Sequence, residues 1–141
     1  MKKLMTTFLG IALATGLVIF SGCTSNNSLM NEVVALRAAA MSNAEDAYIG
    51  CLAPVEASKY KDNLGAIMQI LGFCQSQAFY RGEESAKAGD SKDRVFLRSC
   101  FLSYIDMVAP PTDSQQKAEM LSFCEKSLDK VKAVKAKKET K

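Results

Sequence analysis

The chain has 141 residues, with 18 basic and 15 acidic side chains, five Cys, and neither His nor Trp. The missing His excludes Ser-His-Asp and Cys-His nucleophile pairs and the H-E-x-x-H zinc site. Ala, Leu, Met, Lys and Gln are plentiful, which favours helix over strand.

At the amino end, Lys2 and Lys3 form a short positive region, and Phe8 to Phe20 follows as an apolar run without a charge. Small residues then precede Cys23. This is the layout of a cleaved secretory signal over 1–22, and the apolar run is short for a transmembrane span. Phe20-Ser21-Gly22-Cys23 resembles the lipobox of bacterial lipoproteins, which asks for an aliphatic residue, a small residue, Gly or Ala, then Cys. Phe20 stands where that pattern usually has Leu. The resemblance implies that Cys23 opens the mature chain and carries a diacylglycerol thioether and an N-acyl chain. A second acyl chain turns marginal membrane attachment into stable anchoring. Thr24 does not resemble the Asp of an inner-membrane retention signal. The resemblance therefore implies a bacterial envelope protein on the outer membrane, facing the periplasm.

Removing 1–22 leaves 119 residues, enough for one domain with a modest core. That chain carries 16 basic and 15 acidic side chains, unevenly distributed. Residues 23–125 sum to −4 and residues 126–141 to +5. An acidic body with a basic tail is a solubility and contact pattern, and no nucleic-acid partner is expected. With Cys23 acylated, Cys51, Cys74, Cys100 and Cys124 remain. An even count in an exported small domain reads as two disulfides. A four-thiolate zinc site would need close C-x(2–4)-C pairs, so no metal and no cofactor are expected. Redox catalysis lacks its C-x-x-C.

Residues 23–27 form the lipidated amino terminus and a short polar linker, and a helical domain is expected over 28–135. In the first helix, Ser28 to about Leu52, the residues Leu29, Val33, Leu36, Ala40, Ala44, Ala47 and Cys51 recur at steps of three and four on one face. Its alanines let a neighbouring helix come close. Pro54 disfavours helix at Ala53, and 54–61 reads as a short helical turn or an irregular link. Asp62 or Asn63 caps the second helix, whose apolar side is Leu64, Ile67, Met68, Leu71, Cys74, Ala78 and Phe79. Gly82 is expected to stop it, with Glu83 to Asp90 as a charged loop. Asp90 or Ser91 caps the third helix, which is apolar around most of its circumference from Val95 to Val108 and belongs in the middle of a bundle. It must end near Ala109, before Pro110 and Pro111. Thr112 or Asp113 caps the fourth, with the stripe Ala118, Leu121, Cys124, Leu128, Val131 and Val134, fraying into a basic tail over 136–141.

Leu71-Gly72-Phe73-Cys74 and Leu121-Ser122-Phe123-Cys124 match at an offset of 50, and the cap positions match with them. Regular spacing of this kind marks either a duplicated helical hairpin or two similar amphipathic helices. A duplicated hairpin bears on the disulfides, because equal arm lengths put two cysteines at one height on antiparallel helices. The midpoint of Cys100 and Cys124 lies beside the Pro110-Pro111 turn, and that of Cys51 and Cys74 beside Asp62. Cys51–Cys74 with Cys100–Cys124 is therefore the expected pairing. Its rival, Cys74–Cys100 with Cys51–Cys124, is also symmetrical and requires the first and fourth helices to be neighbours.

No catalytic residue emerges. Gly65, Gly72, Gly82 and Gly89 form no phosphate loop, and the acidic pairs Glu45-Asp46 and Glu83-Glu84 read as solvated charge rather than a glycosidase pair. A non-enzyme is expected. Lys130, Lys132, Lys135, Lys137, Lys138 and Lys141 either solvate a helix end or touch anionic headgroups or the cell wall. A partial similarity to Braun-type lipoproteins rests on Cys23, the Ala-rich first helix and the terminal Lys141. It implies attachment of the Lys141 side-chain amine to peptidoglycan. Met30, Met41, Phe79, Tyr80 and Tyr104 are either plain core or the lining of a groove for a partner or acyl ligand. The expected fold is all-α, a small four-helix bundle or two helical hairpins stapled by two disulfides. The expected role is a non-catalytic envelope lipoprotein with a protein-binding, accessory or structural function. A cell-wall tether and an inhibitor or exclusion factor acting on an incoming protein are the alternatives.

Overall fold

A computed structural model describes the backbone of residues 2–140 and the side chains of residues 27–140. The signal reading of 1–22, acylation at Cys23 and attachment at Lys141 concern groups outside the described residues. The chain divides into two units, Met1–Ala35 and Leu36–Lys141. Four α-helices occur in order: α1 Lys2–Leu52, α2 Leu64–Ala88, α3 Lys92–Met107 and α4 Ser114–Glu139. A 3-10 segment, Ala53–Ala57, links α1 to α2. There is no strand among the described residues. α1 thus includes 24–27, expected as a linker, and α4 continues through the expected 136–141 tail as far as Glu139. No helix among the described residues is long and apolar enough to cross a membrane.

The helix starts follow the capping chemistry. Asn63 Oδ1 accepts from the Ala66 amide at 3.0 Å, and Ser91 Oγ from the Arg94 amide at 3.4 Å. Asp113 Oδ1 accepts from the Gln116 amide at 2.8 Å. Each satisfies an amide that has no intrahelical partner. Pro54 ends α1 and is itself buried at the head of the 3-10 segment. α2 does not stop at Gly82. It continues through the expected loop to Gly89, which takes φ 68° as a left-handed cap, while the Asp90 amide donates to the Ser85 carbonyl at 2.9 Å.

Gly82 has a different task. A Cβ there would lie 2.6 Å from the Ala40 carbonyl oxygen and 3.2 Å from the Ala44 amide nitrogen. α2 therefore crosses α1 backbone to backbone, at the alanines that permit the approach, and the Asn43 amide Nδ2 donates to the Gly82 carbonyl at 3.5 Å. Gly50 does the same between α1 and α3, where an added Cβ would run into the Phe96 carbonyl. α3 is the central helix. It meets α1 at Gly50, α2 through Arg81 and α4 through Cys100.

Two disulfides staple the unit Leu36–Lys141. Cys51–Cys74 has Cα atoms 5.6 Å apart, and Cys100–Cys124 has them 5.8 Å apart. Each sits at the centre of its own small core. Cys51 and Cys74 pack with Met107, Tyr48, Leu52, Val55 and Ile70. Cys100 and Cys124 pack with Phe96, Phe123, Leu128 and Val131. Beyond Phe96, Val95 and Pro54, the largest fully buried side chains are the four half-cystines. A core this poor in large aliphatic groups gains stability from cross-links that restrict the unfolded chain.

The apolar stripes are buried only in part. In α1, Ala40, Ala47 and Cys51 are buried, whereas Leu29 and Val33 are exposed. In α4, Cys124 and Met120 are buried, whereas Ala118, Leu121 and Val134 are exposed. In α2 the discrepancy is largest: Cys74 and Ala78 face inward, and Leu64, Met68 and Phe79 face solvent. The inward face of α2 is set by close approach to α1, which small residues allow and large ones obstruct.

Candidate functional site: a buried arginine behind an uncharged helix face

Arg81 is the one buried charged residue among those described, and it lies on the core-facing side of α2 with Cys74, Ala78 and Ser85. Its Nη1 donates to the Ser103 hydroxyl at 2.6 Å and to the Ser99 hydroxyl and carbonyl at 3.2 Å each. Its Nη2 lies 3.5 Å from Asp106 Oδ2, and the guanidinium stands 5.8 Å from the centre of the Phe73 ring. The Ser99 hydroxyl donates in turn to the Ala47 carbonyl. One side chain of α2 thus joins α3, and through Ser99 it reaches α1. Burial pushes the Arg81 guanidinium below its ordinary pKa, and the neighbouring Asp106 carboxylate opposes that shift. Every buried side-chain polar atom among the described residues has a partner. Arg81 is thereby a cross-brace whose Nη1 is bonded to Ser99 and Ser103 and whose Nη2 faces Asp106.

Outside this brace, the surface of α2 carries no charge over two-thirds of its length. From Leu64 to Tyr80 the sequence contains no Asp, Glu, Lys or Arg. Leu64, Met68, Phe73, Phe79 and Tyr80 are 75%, 61%, 40%, 42% and 57% exposed. Gly65, Gly72 and Ser76 share their face, and a Cβ at Gly72 would meet nothing within 4 Å. Solvent-facing helix surfaces are ordinarily charged, and this uncharged strip with protruding apolar side chains departs from that pattern. At its carboxyl end the Tyr80 hydroxyl donates to Glu84 Oε1 at 2.9 Å, and the adjacent carboxylate raises the phenol pKa.

A shallow cleft of about 370 Å³ borders the strip, lined by Tyr60, Ala66, Gln69, Ile70, Phe73, Asp106 and Met107. Asp106 is its single charged group. No nucleophile is hydrogen-bonded to a base among the residues that line it.

The remaining sequence candidates are dispersed. Tyr104 packs edge to face on Phe123, with ring centroids 5.3 Å apart, and so joins α3 to α4 rather than lining a groove with Phe79 and Tyr80. Met41 is exposed on α1, and Met30 belongs to the unit Met1–Ala35. The acidic pairs are not simply solvated: Asp46 meets Lys135, Glu83 meets Lys87 at 2.9 Å, and Glu84 meets Arg98 at 3.4 Å. The basic segment is also engaged with the acidic body. Lys130 pairs with Glu56, Lys132 with Asp93 and Lys135 with Asp46, while Lys137 and Lys138 are exposed. Among the described residues no group of three or more His, Cys, Asp or Glu could hold a metal ion.

Arg81 and its serines were not singled out by the sequence pattern, although the signal is there. Cys74, Ala78, Arg81 and Ser85 follow one another at steps of four, three and four, and Ser99 and Ser103 stand four apart within an apolar helix. Compared with family models, curated proteins and solved structures, the chain gave no match.

Proposed function

We propose that the chain is an exported, lipid-anchored, non-catalytic binding protein of the bacterial envelope, which uses the outer face of α2 as its protein-docking surface. The observation that carries the docking role is the uncharged, solvent-facing strip from Leu64 to Tyr80. It is mounted on a helix fixed from behind by Cys51–Cys74, Gly82 and Arg81. Such a mounting holds apolar anchors in place before a partner arrives, which lowers the ordering cost of association. The anchoring part of the reading rests on Lys2, Lys3, the apolar run to Phe20 and the Ser21-Gly22-Cys23 ending. The outer membrane, periplasmic side, follows from Thr24.

Two measurements test the two parts. Metabolic labelling with a palmitate analogue should mark the full-length protein and not Cys23→Ser; an unlabelled wild type ends the anchoring reading. A photo-crosslinking amino acid at Met68, activated in intact cells, should give a protein adduct, whereas the same group at Gln115 on α4 should not. No adduct at Met68 ends the docking reading.

A further inference from the structure

The inference rests on the docking reading and names the chemistry of the partner. We infer that the cleft beside Phe73 seats a tyrosine side chain of a partner protein, in the place that Tyr104 takes on Phe123 within the second hairpin. The two hairpins carry the same element at this point, Leu71-Gly72-Phe73-Cys74 on α2 and Leu121-Ser122-Phe123-Cys124 on α4. Each of these half-cystines is joined to the helical arm before it. In the second hairpin that arm is α3, which runs on past Cys100 to Met107. Tyr104, one turn beyond Cys100, lies edge to face on Phe123, and Phe123 is half-buried. In the first hairpin the arm stops short. Pro54 ends α1 at Leu52, directly after Cys51, and the residue one turn beyond the cysteine is Val55, within the 3-10 segment. Val55 packs on the Cys51–Cys74 core. Phe73 stays 40% exposed, and the cleft opens beside it. The first hairpin thus has the phenylalanine of the aromatic pair and a valine where the second has its tyrosine.

The lining suits a phenol. Tyr60 and Phe73 supply aromatic walls and Met107 a thioether, surfaces against which a ring packs well. Asp106 is the one charged group, and its side chain is 53% exposed. A phenol hydroxyl can donate to that carboxylate, whereas an acidic side chain would be repelled by it. Arg81 already stands beside Asp106 and over the Phe73 ring, so a neutral donor suits the carboxylate better than a second cation.

The test uses the chain as its cell produces it, with isotope-labelled methionine methyl groups, and N-acetyl-tyrosinamide as the probe. The Met107 methyl signal should shift saturably as the probe is added, while that of Met120, buried on α4 and outside the cleft lining, should stay in place. N-acetyl-leucinamide and N-acetyl-lysinamide should each bind about five-fold more weakly, the loss expected for one aromatic pair. Phe73→Leu, which keeps an apolar filler at the site, should weaken the tyrosine probe by a similar factor. An unmoved Met120 signal in that variant shows that the fold is kept. If Met107 does not shift, if the leucine or lysine amide shifts it as readily, or if Phe73→Leu binds the probe as well as wild type, the inference is overturned. The crosslinker at Met68 separates this failure from that of the docking reading. An adduct there without a tyrosine response leaves a docking surface for a partner of other chemistry, and a tyrosine response without an adduct ends the docking reading while the aromatic site stands.

Discussion

Gly82→Ala is the sharpest test of how α1 and α2 pack, because two physical accounts of that glycine predict opposite signs. In a helix interior with room for a methyl group, Gly→Ala stabilises by about 1 kcal/mol through helix propensity alone. Here the added Cβ would stand 2.6 Å from the Ala40 carbonyl oxygen, so the helices must separate by about 0.8 Å to restore ordinary contact near 3.4 Å. The obstructing atom is backbone, and no rotamer change can move it aside. Over-packing of this kind costs about 1–3 kcal/mol, and the rigid obstacle puts Gly82 in the upper part of that range. After the propensity gain the net loss should be about 1–2 kcal/mol, a fall in Tm of roughly 4–8 °C for a domain of this size. Thermal and urea unfolding of the oxidised protein measure it directly. Gly50→Ala, which would meet the Phe96 carbonyl, should lose at least as much. A Tm for Gly82→Ala at or above wild type would show that α2 does not cross α1 at this point, and the arrangement of Arg81 behind it would fall as well.

The other predictions concern the braces. Removing Cys100–Cys124 as a Ser pair should cost about 3.5 kcal/mol, from the loop-closure entropy of a cross-link spanning 24 residues; urea midpoints of variant and wild type under non-reducing conditions give the figure. Arg81→Ala should lose about 2–3 kcal/mol, since three charge-assisted hydrogen bonds to Ser99 and Ser103 disappear. Arg81→Lys should recover only part of that, because an ammonium cannot span Ser103 and Asp106 together; urea unfolding of the two variants side by side is the check. Beyond Leu128 and Val131, which pack on the Cys100–Cys124 core, the carboxyl-terminal half of α4 is tied down by ion pairs from Lys130, Lys132 and Lys135, each contributing about 0–1 kcal/mol where exposed and screened by salt. Amide hydrogen exchange over 130–139 should therefore quicken in 1 M NaCl, while exchange over 116–126, pinned by the disulfide at Cys124, should change little.

Several features of the fold were legible in the sequence because their causes are local. Asn63, Ser91 and Asp113 cap helices because a short side-chain oxygen reaches the amides of its own first turn. Pro54 and the Pro110-Pro111 pair end α1 and α3 because a proline cannot continue a helix that precedes it. The four cysteines pair within hairpins at matching heights, as arm length along the chain allows, although arm length also allowed Cys74–Cys100. Gly82 was misread for the complementary reason. A glycine at a helix end and a glycine beneath a crossing helix look identical in a linear sequence, and only the position of Ala40 distinguishes them.

The same limit applies to the candidate site. By itself the sequence determined an all-helical chain with four cysteines spaced symmetrically about its turns, and an uncharged run from Leu64 to Tyr80. Those properties depend on neighbours a few residues away. Tertiary structure alone decided which side of α2 faces solvent, because that depends on how near α1 can come. Small residues at Ala40, Ala44 and Gly82 bring the two backbones together, and Arg81 is drawn inward to the serines of α3. The larger apolar side chains, Leu64, Met68 and Phe79, are left outside, where they form a surface instead of a core.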